Sequence, residues 1–328
     1  MPIFVAGHLG MAGSSFVRHF KEMGYSNIVT APRAELDLTD LAQVRAFMQK
    51  VHPKIVINAA AKVGGIIPNN DFPADFIYQN LLIQNNLIHC AHECKVERFL
   101  FLGSSCIYPK LAPQPMSEAD LLTGPLEPTN RPYALAKIAG IEMCWSYNRQ
   151  YPQGTGFLAA MPTNLYGAGD NYHPTYSHVI PALLRRFHEA KLASANTVAI
   201  WGTGQVRREF MLVDDMAKAC IALLKLAHPK WEPLLARDRN DGVGPVINIG
   251  TGTDVSISDL AELIAKVVGF KGTITFDTSK PDGTPRKLMR IDRLREIYRM
   301  PFVGLEEGLT MAYADFQREL ALVFETGR

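Results

Sequence analysis

The chain has no apolar run long enough to span a bilayer: Ile55 to Ile67 comes nearest, and Asn58 and Lys62 interrupt it. Nor does either charge predominate. With 34 Lys and Arg against 32 Asp and Glu, nothing electrostatic favours nucleic acid or an anionic membrane as a partner. Cysteine is scarce, and its five positions form neither a disulfide frame nor a zinc site, so no metal is expected. Cys90 and Cys94 read as half-buried thiols on one helix in a reducing cytoplasm. There is no internal repeat and no low-complexity segment. A first strand predicted from Pro2 leaves no cleavable leader expected. What is present is a chain of 328 residues, 47% of them hydrophobic, with room for one large globular unit or two modest ones.

Ile3 to Ala6 is a short apolar strand, followed at once by Gly7-His8-Leu9-Gly10-Met11-Ala12-Gly13 and a helical stretch to about Met23. Glycines three apart between a strand and a helix permit a tight turn and close backbone approach to a ligand. They also place a phosphate at the helix N-terminus, where amides and dipole favour negative charge. A second strand is predicted from Asn27 to Ala31. Beyond it, where a carboxylate would select NAD, stands Arg33, suited to a 2′-phosphate, so NADP is the expected cofactor. Asp37-Leu38-Thr39-Asp40 reads as a turn into a helix capped by Thr39 or Asp40, with Asp37 placed to meet an adenine. Ile55 to Ile57 is a third strand, ending in the small residues Ala59, Ala60 and Ala61.

A helix from about Pro73 to Cys94, a strand from Arg98 to Leu102, a helix from about Asn130 to Tyr151 and a strand from Gly156 to Met161 continue the alternation. The fold class predicted is α/β, a doubly wound parallel sheet of Rossmann type, with ligands beyond the carboxyl ends of the strands. Pro109 to Pro132 holds six prolines and is expected to be a functional loop. Further on, Thr197 to Trp201 is read as a strand paired with Arg207 to Val213 across Gly202-Thr203-Gly204. Asp214 to His228 is read as helix, Ala236 to Gly244 as surface loop and Val246 to Ile249 as a buried strand. The expected division is a cofactor domain of residues 1–165 and 212–252, with a smaller interleaved α/β substrate domain of residues 166–211 and 253–328.

Tyr133 and Lys137, four apart, share one helix face, so an ammonium there can draw the phenol pKa down from near 10 toward the working range. Such a phenol can protonate a carbonyl oxygen as hydride arrives. Ser104 and Cys106 lie two apart at a strand end. If the extended geometry continues, both side chains face the same way, and Ser105 faces the other. The serine suits a substrate carbonyl. Reduction needs no thiol, but a thiolate is a good base toward the acidic carbons flanking a ketone, which would mean epimerisation. A buried thiol with no role is the open alternative.

These residues resemble the extended short-chain dehydrogenases that act on nucleotide sugars. Within them the chain is similar to the epimerase-reductases of GDP-4-keto sugars. The resemblance is carried by Ala59 to Ile66, Phe101 to Lys110, Met161 to Gly167, Ser177 to Arg186 and Lys280 to Lys287. It implies epimerisation at both carbons flanking the ketone of GDP-4-keto-6-deoxy-D-mannose, then reduction of that ketone with NADPH. Ser104, Tyr133 and Lys137 would serve the reduction, and Cys106 and His178 the epimerisation. The physical requirement is independent of the family: inverting a centre needs proton removal from one face and return to the other, hence two groups.

The resemblance further implies that Gly7, Gly10, Met11, Gly13, Arg33, Asp37 and Leu38 hold the adenylate half of the cofactor. Leu102, Gly103, Ser104, Ser105, Lys137, Pro162, Thr163, Asn164, Leu165 and His178 would border its nicotinamide half. Arg186, Trp201, Arg208 and Asp282 would meet the substrate nucleotide. A homodimer through helices near residues 80–94 and 132–150 is also implied.

Two positions depart from the pattern: Leu9, where some relatives carry an arginine for the 2′-phosphate, and Leu212, where a histidine is common. Alternatives are an epimerase-reductase of another GDP-4-keto sugar (a dideoxyhexose or heptose), an NAD-dependent nucleotide-sugar 4-epimerase, and a cofactor-sensing regulator on the same fold.

Overall fold

All four residues of the first strand, β1 (Ile3–Ala6), are buried, because helices cover both faces of the sheet it enters. Ile3 and Val5 point into one core with Phe16 and Phe20. Phe4 and Ala6 point into another with Val44, Met48, Leu87 and Ile88. Side chains alternate along a strand, so a sheet covered on both sides reads as a continuous apolar run. The structure is a computed structural model that describes residues 1–236, 244–280 and 282–326. The surface loop expected at Ala236 to Gly244 lies, apart from its two end residues, outside the described residues.

From β1 the chain continues through α1 (Met11–Glu22), β2 (Ile28–Val29), α2 (Leu41–Val51), β3 (Ile55–Asn58), α3 (Ile66–Asp71), α4 (Pro73–Glu93), β4 (Arg98–Leu102), α5 (Arg131–Gln150) and β5 (Gly156–Pro162). Then come β6 (Asn164–Tyr166), α6 (Val179–Leu192), β7 (Thr197–Trp201), β8 (Arg207–Leu212), α7 (Val213–Leu224), α8 (His228–Leu235) and β9 (Val246–Ile249). The last part holds β10 (Asp254–Ser256), α9 (Ile257–Val268), β11 (Thr273–Asp277), β12 (Arg286–Lys287), α10 (Asp292–Ile297) and α11 (Leu305–Thr326).

Six strands form a parallel sheet in the order β2-β1-β3-β4-β5-β9. This is the doubly wound α/β fold expected. The strand order reverses beside β1, and a crevice opens there at the carboxyl ends of β1 and β3. β2 is shorter than predicted: the chain turns at Pro32, whose carbonyl accepts from the amides of Glu35 and Leu36. Asp40 is the cap of α2, its carboxylate accepting from the amides of Ala42 at 2.8 Å and Gln43 at 3.2 Å.

The predicted pairing of Thr197–Trp201 with Arg207–Val213 does not form. β7 pairs in parallel with β11 instead, while β8 pairs with β6 and β12 in parallel and with β10 in antiparallel fashion. Gly202 and Gly204 take φ of 80° and 77° and lead the chain away from a hairpin. Burial separates the two strands as well. β7 alternates exposed and buried residues and suits a two-stranded ribbon, whereas Glu209 to Leu212 are buried throughout and need cover on both sides. A third core, with Tyr166, Leu184, Phe187, Ile200, Leu260 and Ile264, holds β7 and β8 against α6, α9 and α11. Among the described residues no helix is long and apolar enough to cross a membrane.

Candidate active site

The glycine loop closes the crevice tightly. A Cβ on Gly7, itself at φ 81°, would lie 2.7 Å from the backbone nitrogen of Ala60, and one on Gly13 would lie 2.1 Å from the Gly7 carbonyl oxygen. β1, β3 and α1 meet at distances only glycine allows. A Cβ on Gly10 would meet nothing nearer than 3.5 Å. Gly10 is the N-cap of α1, which has no side-chain cap and no acid in its first turn, so the leading amides beside Met11 are free for an anion. These residues fit a dinucleotide pyrophosphate.

Arg33 is exposed just past β2. Asp37 is held below the ordinary carboxylate range by the Thr39 amide and hydroxyl, with a smaller effect of the Arg33 charge. One Asp37 oxygen is thereby spent on the turn, at 2.9 and 2.7 Å from Thr39, leaving the other for a ligand. The Leu38 carbonyl accepts from the Asn86 amide at 2.9 Å.

At the carboxyl end of β4, Gly103 packs on Met161 so closely that a Cβ would lie 2.2 Å from its methyl. The strand stops at Leu102, and Ser105 to Ile107 form a 3-10 turn. Strand alternation therefore does not bring Ser104 and Cys106 together, as the spacing had suggested. The turn does: Ser104 caps it, its hydroxyl accepting from the Cys106 amide at 3.4 Å, and Ser105 is buried beneath. Burial pushes the Cys106 thiol up, against the opposing pull of the Ser104 hydroxyl, Lys287 and Lys137.

Lys137, 3% exposed, donates to the Leu102 carbonyl at 2.9 Å and lies 5.7 Å from the centroid of the Tyr133 ring. Its burial lowers it to about 8. Tyr133 is half-buried and edge-on to Phe76. The lowering of its phenol expected from the helical spacing is absent in this arrangement. Burial pushes Tyr133 up, a Cys106 charge adds to that, and the Lys137 ammonium is turned to a carbonyl rather than to the phenol oxygen.

Pro162 ends β5, paired with Ile249 of β9. Thr163 and Asn164 both donate to the Glu209 carbonyl, at 3.2 and 2.8 Å, and half-buried Leu165 follows on β6. His178 is the N-cap residue of α6, with no side-chain cap bond. Its surface is exposed, yet enough protein surrounds it to hold the imidazole below the ordinary histidine value. The backbone places it near the β3 loop, since a Cβ on Gly65 would lie 3.4 Å from the Ser177 carbonyl. Its ring makes no hydrogen bond to the Ser104–Lys137 group among the described residues.

The residues expected at the nucleotide gather around the β7 turn. Trp201 is 58% exposed, with the Lys280 ammonium 5.6 Å from its ring centroid. Asp282 accepts from the Thr203 amide at 3.0 Å and hydroxyl at 2.7 Å, which holds its carboxyl low. Arg208 is half-buried and lowered by that burial, with Asp282 opposing. Arg186 donates to the Ala199 carbonyl at 2.9 Å.

Residues 3–250 match the model of the NAD dependent epimerase/dehydratase family. The chain belongs to that family. Among its relatives, the GDP-L-fucose synthase of Escherichia coli (strain K12) is 53% identical over 318 residues, covering 96% of each chain. The GDP-L-colitose synthase of Yersinia pseudotuberculosis is 34% identical over 319 residues, covering 97% of this chain and 99% of that one. Among solved structures, a GDP-mannoheptose C4 reductase from Campylobacter jejuni with NADP bound superposes with a TM-score of 0.85 at 34% identity, covering 96% of this chain and 98% of that one.

Two residues of this family member were passed over by motif reading. Glu209 is fully buried on β8. Its carboxylate accepts from the amides of Thr251 at 2.6 Å, Gly252 at 2.7 Å and Met289 at 2.9 Å, tying three segments together. A carboxylate at the head of the apolar run Phe210-Met211-Leu212-Val213 was the available signal. Lys287 lies beside Arg208 in the register of β12 and β8. A two-residue strand has no periodicity by which to find it.

Proposed function

We propose that the chain is a GDP-L-fucose synthase, converting GDP-4-keto-6-deoxy-D-mannose to GDP-L-fucose in two epimerisations and one NADPH-dependent reduction. The observation that carries the reading is the Gly103–Ile107 turn. It puts the Ser104 hydroxyl beside Cys106, whose thiol feels the Lys137 charge, in a chain 53% identical along nearly its whole length to a GDP-L-fucose synthase. At 34%, the colitose synthase is the weaker match for the sugar.

The C4 ketone acidifies the hydrogens at C3 and C5. Cys106 as thiolate takes a carbon-bound proton, and the electron pair moves onto the C4 oxygen. His178 as imidazolium returns a proton to the opposite face, inverting the centre. Ser104 holds the carbonyl oxygen by its hydroxyl. The nicotinamide of NADPH, when bound, supplies hydride to C4. Tyr133 gives its proton to the C4 oxygen, and Lys137 holds the end of β4 in place through the Leu102 carbonyl. Gly7, Gly10, Met11 and Gly13 take the pyrophosphate, and Arg33 the 2′-phosphate. Arg186 and Arg208 face the substrate diphosphate, Trp201 its base or ribose, and Asp282 a donor edge.

Incubation with GDP-4-keto-6-deoxy-mannose in deuterated water tests the reading. Deuterium at both flanking carbons together with NADPH oxidation is the expected result, and oxidation without exchange overturns it. Arg33→Ala should raise KM for NADPH roughly ten- to a hundredfold, the loss of one or two charge-assisted bonds, and leave KM for NADH unchanged. An equal change for both cofactors in steady-state kinetics removes Arg33 from that role.

The protein functions as a homodimer through α4 and α5, whose outer faces carry Tyr78, 65% exposed, and Leu135, 39% exposed. A monomer by sedimentation velocity contradicts this. Its place is the cytoplasm, where its five free thiols stay reduced.

A further inference from the structure

We propose that Tyr108 is the positioning residue that sets Cys106 for the epimerisation, acting through a hydrogen bond to Asn248. The inference rests on the function proposed above and adds a part to its first stage.

The turn that carries Cys106 is weak in itself. The Cys106 amide donates to the Ser104 hydroxyl at 3.4 Å, the Ile107 amide to the Ser104 carbonyl at 3.3 Å, and the Tyr108 amide to the Ser105 carbonyl at 3.4 Å. All three are longer than the usual N–H···O range of about 2.7–3.2 Å. The shape of the turn therefore depends on what holds its two ends.

At the Ser104 end the sheet does so. The Gly103 amide donates to the Ala160 carbonyl at 2.9 Å, and Lys137 to the Leu102 carbonyl at 2.9 Å. At the other end stands Tyr108, 3% exposed, whose hydroxyl donates to Asn248 Oδ1 at 2.5 Å.

Asn248 is a fixed point for that bond. It is fully buried on β9, and its Nδ2 donates to the carbonyls of Met116 and Arg290, both at 3.1 Å. Both side-chain amide hydrogens are thereby used, which turns Oδ1 to the phenol. The Asn248 backbone amide donates to Glu118 at 2.9 Å. Met116 is itself tied down, its amide donating to the Leu288 carbonyl and its carbonyl accepting from the Arg290 amide, both at 2.7 Å. The proline-rich loop, β9 and the segment after β12 thus converge on the one side chain that receives Tyr108.

Ser104 is one residue from the Gly103 anchor and Cys106 is three, so losing the Tyr108 bond frees the thiol more than the serine. A base must be placed closely against the proton it takes, and a small displacement is costly. The loss falls on the epimerisation ahead of the reduction.

The test uses Tyr108→Phe, Asn248→Ala and the double variant of the full-length protein. Alkylation of the native protein by iodoacetamide is followed at each cysteine by mass spectrometry. Cys106 should react roughly three- to tenfold faster in Tyr108→Phe, the effect of one lost hydrogen bond, while the fully buried Cys144 and Cys220 keep their wild-type rates. With GDP-4-keto-6-deoxy-mannose and NADPH, NMR gives the ratio of reduced sugar keeping its original configuration to GDP-L-fucose. That ratio should rise about tenfold, and the amount of folded enzyme does not affect it. In the Asn248→Ala background Tyr108→Phe should add nothing further. A Cys106 rate that is unmoved, or that rises together with Cys144 and Cys220, overturns the proposal. So does an unchanged product ratio, or a Tyr108→Phe effect that persists without Asn248. If the wild-type protein forms no GDP-L-fucose, the proposed function fails, and the alkylation still decides whether Tyr108 holds the Cys106 turn.

Discussion

Cys106→Ala is expected to lower incorporation of solvent deuterium at the carbons flanking the ketone by roughly 10²–10⁴-fold, the ordinary contribution of a positioned general base. NADPH oxidation should continue slowly, because Ser104, Tyr133 and Lys137 remain and the unepimerised ketone can still accept hydride. The sugar product should then keep its original configuration at the neighbouring carbons, which NMR of the isolated nucleotide sugar reads directly. Exchange at the wild-type rate would return Cys106 to the status of a packed thiol. The size of the effect follows from the site: the thiol sits on a turn capped by Ser104, 8% exposed, with no carboxylate among the groups that influence it.

Tyr133→Phe should produce the complementary defect. NADPH oxidation is expected to fall by roughly 10²–10⁴-fold while deuterium exchange persists. A phenol pushed up by burial stays protonated at neutral pH, as a proton donor in the reducing direction must. The pH profile follows from Lys137. Lowered to about 8, it carries its charge below that pH and loses it above. Reduction should therefore decline as pH rises through about 8, and Lys137→Arg should carry the plateau to higher pH. A wild-type rate that is flat across that range would detach Lys137 from the reduction.

Much of this was legible in the sequence, for physical reasons that also mark where legibility ended. β4 and β9 have the bounds read from their buried apolar runs, and β7 those read from its β-branched and aromatic residues, because such local patterns show themselves without long-range information. The glycine loop was legible because its spacing records a steric need: nothing larger than hydrogen fits between Gly13 and the Gly7 carbonyl. Pairing partners were not. Which strand β7 takes depends on residues 273–277, far along the chain, and local pattern is silent about that.

The site divides in the same way. Ser104 and Cys106 could be named from type and spacing, but the 3-10 turn that joins them could not. The Tyr133 phenol was misjudged because spacing says nothing of where a lysine's hydrogen bond goes. Glu209 shows itself only through tertiary contacts with Thr251, Gly252 and Met289, and Lys287 sits on β12, a strand too short to leave any pattern.

The pairing of β5 with β9 has a consequence for how the protein is made. The chain leaves the parallel sheet after β5, builds β6 through α8, and only then returns to lay β9 along the exposed edge. During synthesis from the N-terminus, that edge stands open until the later residues emerge, and an open apolar edge is a template for wrong partners. Chains terminated before β9 should consequently aggregate rather than persist as a soluble cofactor-binding half. The last strand to arrive is the one that seals the sheet begun first.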